Sequence, residues 1–144
     1  MGLGLEHTRA DVARAVSEGA GHAVAEAILA YGRAGVSIDR VVAIGGATKN
    51  DVITGTVSTV TGLTQEVVVS PGAAYGDAFL AALGIGAIAD PSAGSTWWQT
   101  GRTVAPDAEH AAVLQADHKA FVDLYRALAP WNRARAFDAQ ERPL

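Results

Sequence analysis

Cysteine is absent from this 144-residue sequence, and its absence excludes several kinds of site. A chain without cysteine has no disulfide framework, no thiol nucleophile and no thiolate ligand for a metal. Histidine does not compensate, because the histidines lie far apart and show no HExxH-type spacing. They are His7, His22, His110 and His118. We therefore expect no metal that is held by protein side chains alone.

Lysine and net positive charge are also scarce. The formal net charge is −4, and the two lysines are Lys49 and Lys119. A surface that binds nucleic acid without sequence specificity needs clustered cations to neutralise phosphates. The arginines are scattered, apart from the close pair Arg133 and Arg135. No nucleic-acid partner is expected.

Long apolar runs are missing as well. The longest, residues 78–89, contains two glycines and is too short to span a bilayer. The first residues show no basic segment followed by an apolar block, and Glu6 interrupts the myristoylation pattern that Gly2 could begin. We therefore predict a soluble, cytoplasmic protein with no membrane partner. A hydrophobic content of 49% over 144 residues predicts one folded domain.

The stretch around two adjacent glycines, Gly45 and Gly46, carries the clearest functional signal. The preceding apolar run, residues 41–44, is typical of a strand buried on both faces. After the glycines, Asn50 or Asp51 can cap a helix, and exposed amides in the first turn of a helix favour an anion. Strand, glycine turn and helix start together predict a phosphate-binding turn.

A purely structural interpretation of the same glycines remains open. Any parallel α/β protein needs glycines where strands meet helices. The turn lacks the GxxxxGK[ST] pattern of a P-loop, because Lys49 follows Gly46 by three positions and precedes Asn50. It also lacks the GxGxxG fingerprint of a dinucleotide-binding fold. A nucleotide site here must therefore be of another type.

The first long helix is predicted from its start signal and its periodicity. Thr8 and Asp11 predict a capping box for a helix that runs to about Tyr31. Gly19 and Gly21 lower helix propensity, so either another backbone passes close to them or they only tolerate crowding. An apolar stripe recurs every four residues and should face the core. Its members are Val12, Val16, Ala20, Val24 and Ile28.

Helix and strand patterns alternate in the rest of the chain. Residues 65–69 are typical of a second strand. Residues 73–83 predict a helix of small residues, buried on most sides, in which Asp77 is the lone charge. Residues 97–104, led by two tryptophans, predict a strand or an extended arm. Residues 106–128 predict a last amphipathic helix.

This order of elements predicts an α/β fold with a parallel sheet. Two clear strands, however, make a very small sheet, and such strands need neighbours on both edges. The sequence therefore indicates an incomplete parallel sheet flanked by helices, which is either a piece of a larger domain or half of an oligomer. We place the domain at residues 1–129 and a polar tail at residues 130–144.

Three segments, taken together, resemble the C-terminal part of FGGY-family carbohydrate kinases, with xylulokinase-like members most similar. They are residues 2–19 (GLGLEHTRADVARAVSEG), 45–50 (GGATKN) and 72–86 (GAAYGDAFLAALGIG). Their order and spacing match the family, and the last predicted helix fits its closing helix. The resemblance covers about residues 2–128.

The resemblance implies the architecture of actin and hexokinase, in which two RNase H-like domains flank a cleft. The first domain binds most of the sugar and the second binds ATP, so this chain would be a partial actin-like, RNase H-like ATPase domain. The backbone of Gly45, Gly46 and Ala47 would lie against ATP, and Asn50 would help to hold its adenosine part. Mg²⁺ would be held mainly through the phosphates.

The same resemblance implies what the chain lacks. The family's catalytic base and its sugar site belong to the first domain, and the opening strands of the second domain are missing too. We therefore expect no catalytic residue here, no activity of the chain alone, and a sugar, a xylulose-like ketose or polyol, bound only with the N-terminal domain. Ala47 replaces a glycine common in the family, and Gly55, Ser58 and Thr59 stand where relatives often have larger or acidic residues.

Other functions remain open at this point. The chain is expected to be a fragment of a longer kinase or one half of a split enzyme. Alternatively, it is a non-catalytic interaction module, whose sheet edge and Trp97-Trp98 pair with a second copy or with a complementing kinase domain. A small-molecule binding protein of Rossmann type is disfavoured by the missing glycine fingerprint.

Overall fold

The computed structural model describes residues 2–69, 73–97 and 99–140. Over these residues, four α-helices flank a sheet of three strands. The elements in chain order are α1 (Arg9–Arg33), β1 (Val41–Ala43), α2 (Asp51–Thr61), β2 (Gln65–Val69), α3 (Ala73–Gly84), β3 (Gln99–Val104) and α4 (Ala111–Gln140). Two short 3₁₀ helices lie at Gly46–Lys49 and Pro91–Thr96.

The sheet has the order β1-β2-β3. β1 runs parallel to β2, with Val41 opposite Gln65, whereas β3 runs antiparallel to β2. The register of β2 and β3 shifts between Val67 and Val68. The predicted α/β fold is therefore confirmed. The sheet is mixed rather than wholly parallel as predicted, because the strand or arm predicted at residues 97–104 is an antiparallel edge strand. Trp98, one of the two tryptophans singled out in the sequence, lies outside the described residues.

The start of α1 is the predicted capping box. The amide of Asp11 donates to Thr8 Oγ1 at 3.4 Å, and the amide of Thr8 donates to Asp11 Oδ2 at 2.7 Å. Hydrogen bonds from the hydroxyl and the amide of Thr8 lower the pKa of the Asp11 carboxyl. The helix continues to Arg33, slightly beyond its predicted end.

α1 packs against α2 at one of its two interior glycines. A Cβ on Gly21 would lie 2.7 Å from Thr56 Cβ and 3.1 Å from the carbonyl oxygen of Ile53, so the close backbone approach is real there. A Cβ on Gly19 would meet no atom within 4 Å. The small residue at position 21 is therefore what lets the two helices approach.

α2 is largely buried, although it is rich in threonine and valine, which form helices poorly. Hydrogen bonds satisfy polar groups on the buried side of α2. Gln65 Nε2 donates to the carbonyl oxygen of Thr54 at 2.6 Å and to Ser58 Oγ at 2.7 Å. Ser58 Oγ donates in turn to the carbonyl oxygen of Val104 at 2.8 Å. This network joins α2 to β2 and β3.

The apolar core lies where α1, α2 and α4 meet, around Ala25, Val60 and Leu114. His22 of α1 is also buried there, with 4% of its surface exposed. Its ring centroid lies 5.4 Å from that of His118 on α4. Burial, and next the nearby charge of His118, lower the pKa of His22.

The face of α1 that is buried differs from the predicted one. The residues of α1 that are buried are Gly21, His22 and Ala25. Val16 and Val24 of the predicted stripe are instead 70% and 47% exposed. The short side chains on the other face admit α2 closely, whereas none of the described elements covers the valine stripe fully.

Two further predictions from the sequence were wrong in detail. α3 is not buried on most sides: Leu80 is 65% exposed and Asp77 is exposed. Its aromatic residues Tyr75 and Phe79 pack on Trp97, with ring centroids 5.1 and 5.0 Å apart.

The last helix is also longer than predicted. α4 continues through Pro130 to Gln140, so most of the predicted polar tail is helical. Alanines and arginines are frequent in the segment after the proline, and both residue types favour a helix.

Candidate functional site

The glycine turn lies directly after β1, at the carboxyl end of the two parallel strands. Gly45 has a φ of +97°, a backbone conformation that glycine adopts without strain. The chain then makes the 3₁₀ helix Gly46–Lys49, in which the amide of Thr48 donates to the carbonyl oxygen of Gly45 at 3.2 Å. The Thr48 hydroxyl donates to the same oxygen at 2.7 Å.

An open hollow of about 680 Å³ lies against this turn. The hollow is lined by Gly45 and Gly46 of the turn, by residues 67–69 of β2, and by Gly101 and Arg102 of β3. A Cβ added to Gly45 or to Gly46 would meet no atom within 4 Å. The glycines therefore expose backbone to open space, where a ligand can approach closely.

The charged groups around this hollow are Lys49, Asp51 and Arg102. Arg102 Nη2 lies 2.9 Å from Asp51 Oδ1 and donates to the carbonyl oxygen of Thr48 at 2.8 Å. Lys49 is exposed and makes no ion pair among the described residues. The walls thus present two cations and one carboxylate, a balance that favours an anionic ligand.

Asn50 is at the end of the turn, and its side chain is engaged within the protein. Its Oδ1 accepts hydrogen bonds from the amides of Val52 and Ile53, at 3.0 and 3.4 Å. Its Nδ2 donates to Ser17 Oγ at 3.1 Å. Asn50 is therefore the N-cap of α2 and a tie to α1, and two first-turn amides that could have bound an anion are already satisfied.

Ala47, the fourth predicted site residue, lines a different hollow. This second hollow, of about 540 Å³, lies between α1 and β1 and is mostly apolar. Tyr31 and Ile28 line it from α1, and the residues of β1 and Ile44, which follows the strand, also line it. Tyr31 and Ile44 are 62% and 57% exposed. The structure therefore brings Gly45 and Gly46 together at one hollow and places Ala47 at its neighbour.

The residues around the first hollow fit a nucleotide. The carboxyl ends of parallel strands are where ligands bind in open α/β sheets. A nucleotide carries both phosphates and an aromatic base. The exposed glycine backbone and the cations on two elements suit the phosphates, and the valines of β2 suit the base. For a divalent metal without a nucleotide the fit is poor, since the described residues contain no group of three or more histidine or acidic side chains placed to hold one.

Arg102 is the site residue that sequence reasoning missed. It is one of the scattered arginines, and it lies 54 positions away from the threonine whose carbonyl it binds. Only the antiparallel pairing of β3 with β2 brings it to the turn. The sequence did predict a strand at residues 97–104, which contains Arg102. It did not show in which direction that strand runs.

The described residues include no helix with the length and apolar character needed to cross a membrane.

Fold and site together define an α/β domain of the actin-like ATPase class. A family model described as the C-terminal domain of the FGGY family of carbohydrate kinases matches residues 1–85. The chain belongs to this family, and it represents the C-terminal domain. No curated protein matches the chain.

The chain is also similar to a solved structure of xylulose kinase from Rhodospirillum rubrum. The two are 29% identical in sequence and superpose with a TM-score of 0.74. The match covers 91% of this chain and 27% of that kinase, so the chain spans about a quarter of the length of its relative.

Proposed function

We propose that this chain is the ATP-binding part of a carbohydrate kinase, with the nucleotide bound against Gly45 and Gly46 but not against Ala47, which lines the neighbouring hollow. The observation that carries the proposal is the open hollow at Gly45 and Gly46, where a Cβ added to either glycine would have no atom within 4 Å. Lys49 and Arg102 supply positive charge beside it. Asn50 contributes by holding the turn against the start of α2 on the adenosine side.

The reaction that we propose for the complete enzyme is transfer of the γ-phosphate of ATP to a hydroxyl group of a sugar. When bound, ATP supplies the phosphoryl group, and Mg²⁺ on its phosphates neutralises developing charge. The residues of this chain bind and orient the nucleotide. By analogy with the similar xylulose kinase, the acceptor is a ketose or a related polyol. The catalytic base and the sugar site would come from the N-terminal domain.

Calorimetric titration of the purified chain with ATP and Mg²⁺ tests the nucleotide site. We expect saturable binding that Gly46→Val abolishes, because its side chain occupies the hollow. Gly19→Val is the matched control: position 19 also has no atom within 4 Å of an added Cβ, but it lies on α1, away from the hollow. Circular dichroism of each variant verifies that it is folded.

Two outcomes would contradict the proposal. Equal weakening by Gly46→Val and Gly19→Val would mean that both act on stability rather than on the site. A folded parent chain that does not bind ATP at millimolar concentration would exclude a nucleotide site in this chain by itself.

Asn50→Ala should weaken ATP binding less than Gly46→Val does, because the side-chain amide of Asn50 acts only through the position of α2.

A second proposal concerns the partner, and the free edge of β1 favours it. Among the described residues, β1 pairs with β2 on one side and with no strand on the other. The apolar hollow of about 540 Å³ adjoins that edge. Unpaired strand edges beside apolar surface are sites for another strand. We propose that the remainder of the kinase, on the same or on a separate polypeptide, adds a strand here. Co-purification with an FGGY fragment that carries the N-terminal domain and the opening strands of the second domain tests it.

A further inference from the structure

Arg102 connects the outer strand of the sheet to the glycine turn. It lies on β3 opposite Val67 of β2, and its Nη2 donates to the carbonyl oxygen of Thr48 at 2.8 Å. The same nitrogen lies 2.9 Å from Asp51 Oδ1. Thr48 is itself bonded to the carbonyl oxygen of Gly45 through its hydroxyl. One side chain thus joins β3, the turn and the start of α2.

Apart from the bond between Asn50 and Ser17 of α1, the other bonds that shape the turn are short-range. The amides of Thr48 and Asn50 donate to carbonyl oxygens three positions earlier, on Gly45 and Ala47. Such 3₁₀ bonds have poor geometry, and glycine is free to take other conformations. A hydrogen bond from a charged guanidinium is stronger than a neutral one, and here it comes from a strand that is paired with β2. The bond from Arg102 to Thr48 is therefore suited to fix the turn.

We propose that Arg102 is a positioning residue of the nucleotide site, which holds the glycine turn at a set distance from β3. Arg102 lines the same hollow as the glycines, and its bond to the Thr48 carbonyl oxygen links β3 to the turn across 54 positions of the sequence. Its exposed ion pair with Asp51 adds little, because such pairs are screened by water. The bond to the Thr48 carbonyl carries the function.

The proposal goes beyond the family comparison. Arg102 lies outside residues 1–85, which the family model matches. That a nucleotide is the ligand rests on the proposed function, whereas the hydrogen bond between Arg102 and the turn does not depend on it. The test therefore measures the turn without nucleotide first and with nucleotide second.

The first measurement is hydrogen exchange of the free chain, resolved at the amides of Thr48 and Asn50. Arg102→Met keeps the length of the side chain and removes its donors, and we expect exchange at both amides to become about 10-fold faster. Arg102→Lys keeps one charged donor and should restore part of the protection. Amides of α1 should exchange at the parent rate in every variant.

Arg40→Met is the matched control. Arg40 is also an exposed arginine at the sheet, and it binds Glu66 through Nε at 3.0 Å and through Nη2 at 2.5 Å. It makes no hydrogen bond with the turn among the described residues. The same substitution there should leave the amides of Thr48 and Asn50 unchanged.

The second measurement is the titration with ATP and Mg²⁺. Arg102→Met should weaken binding about 10-fold, which corresponds to about 1.4 kcal/mol, with Arg102→Lys between it and the parent. Unchanged exchange at Thr48 in Arg102→Met overturns the tie. Equally faster exchange along α1 overturns the positioning role, because Arg102 would then act on global stability. Faster exchange in a chain whose parent does not bind ATP supports the tie and contradicts the proposed function.

Discussion

Ser58 is a buried hydroxyl at the centre of the contact between α2 and the sheet. It accepts a hydrogen bond from Gln65 Nε2 and donates one to the carbonyl oxygen of Val104. A buried polar group that loses its partner costs free energy, because no water replaces the bond. Position 58 therefore requires a polar side chain that can make both hydrogen bonds, although α2 otherwise packs as a core helix.

Ser58→Ala should lower the free energy of unfolding by about 1–3 kcal/mol, because it leaves the Val104 carbonyl oxygen without this donor and Gln65 with one acceptor fewer. Urea denaturation measures the change. Ser37→Ala is the control, since the Ser37 hydroxyl donates to Asp39 at an exposed site, and its effect should stay within about 0.5 kcal/mol. Equal effects of the two substitutions would contradict the role of the buried network.

His22 makes stability depend on pH. Its pKa is lowered from the ordinary value of 6.5 by burial and by His118, against smaller opposite effects of Asp117 and Glu18. The folded state therefore binds fewer protons than the unfolded state at mildly acidic pH, and stability falls as pH drops below about 6.5. The carboxylates of Asp117 on α4 and Glu18 on α1 reduce this loss without reversing it.

His22→Gln should flatten the dependence of the urea midpoint on pH between about 7 and 5, because it removes the group that gains a proton on unfolding. His7→Gln is the control, since His7 lies outside the helical core. The explanation fails if the parent and His22→Gln lose the same stability over this range.

At the scale of elements, the contact between α1 and α2 depends on one glycine. A Cβ at Gly21 would lie 2.7 Å from Thr56 Cβ, and this atom is fixed close to the α2 backbone. The equivalent atom at Gly19 would lie in open space. The same substitution at the two positions therefore has effects of opposite sign.

Gly19→Ala should stabilise the chain by about 0.4–1 kcal/mol, because alanine raises helix propensity and limits the unfolded chain. Gly21→Ala should destabilise it by about 1–3 kcal/mol, because the helices must move apart. Thermal and urea unfolding of both variants measure the pair. Stabilisation by Gly21→Ala would show that α1 and α2 separate without cost.

Local signals predicted the starts of α1 and α2 well. The capping box at Thr8 and the N-cap Asn50 are both where residue chemistry places them. These features depend on a few neighbouring residues, and the sequence shows those neighbours directly. The glycine turn was also predicted from local residues. The strand before it, however, was predicted to be buried on both faces, whereas in the described sheet β1 is an edge strand in which Val42 is 38% exposed.

Features that depend on distant partners were not predictable in this way. Periodicity shows that α1 has an apolar stripe. It does not show that small residues on the other face of α1 allow α2 to approach more closely. The composition of α3 predicts burial, yet the described residues offer it mainly Trp97. The position of Arg102 beside the turn follows from the direction of β3, which no local pattern encodes.

At the scale of the whole molecule, part of the exposed apolar surface lies beside the free edge of β1. Val42 of β1 is 38% exposed and Tyr31 of α1 is 62% exposed, and both line the second hollow. Val42→Lys should weaken association with an FGGY fragment that carries the N-terminal domain and the opening strands of the second domain at least 10-fold, because a charge at a strand edge opposes pairing. Val113→Lys, at a 62% exposed valine of α4, should leave it unchanged.

Sedimentation of the mixed and separate chains measures this association. Self-association of the separate chain that Val42→Lys removes would identify a second copy, rather than the kinase domain, as the occupant of the edge. Equal effects of both lysine substitutions would exclude the β1 edge as the interface.

The two edges of the sheet also differ in a way that limits assembly. β3 is exposed and polar along almost its whole length, and its register with β2 is interrupted, so its outer edge is a poor template for another strand. The short edge of β1 is apolar. A chain with one strand edge that can pair forms a complex with a single partner strand, but it cannot polymerise by adding further strands. Sheet extension from this domain therefore ends after a single partner has joined.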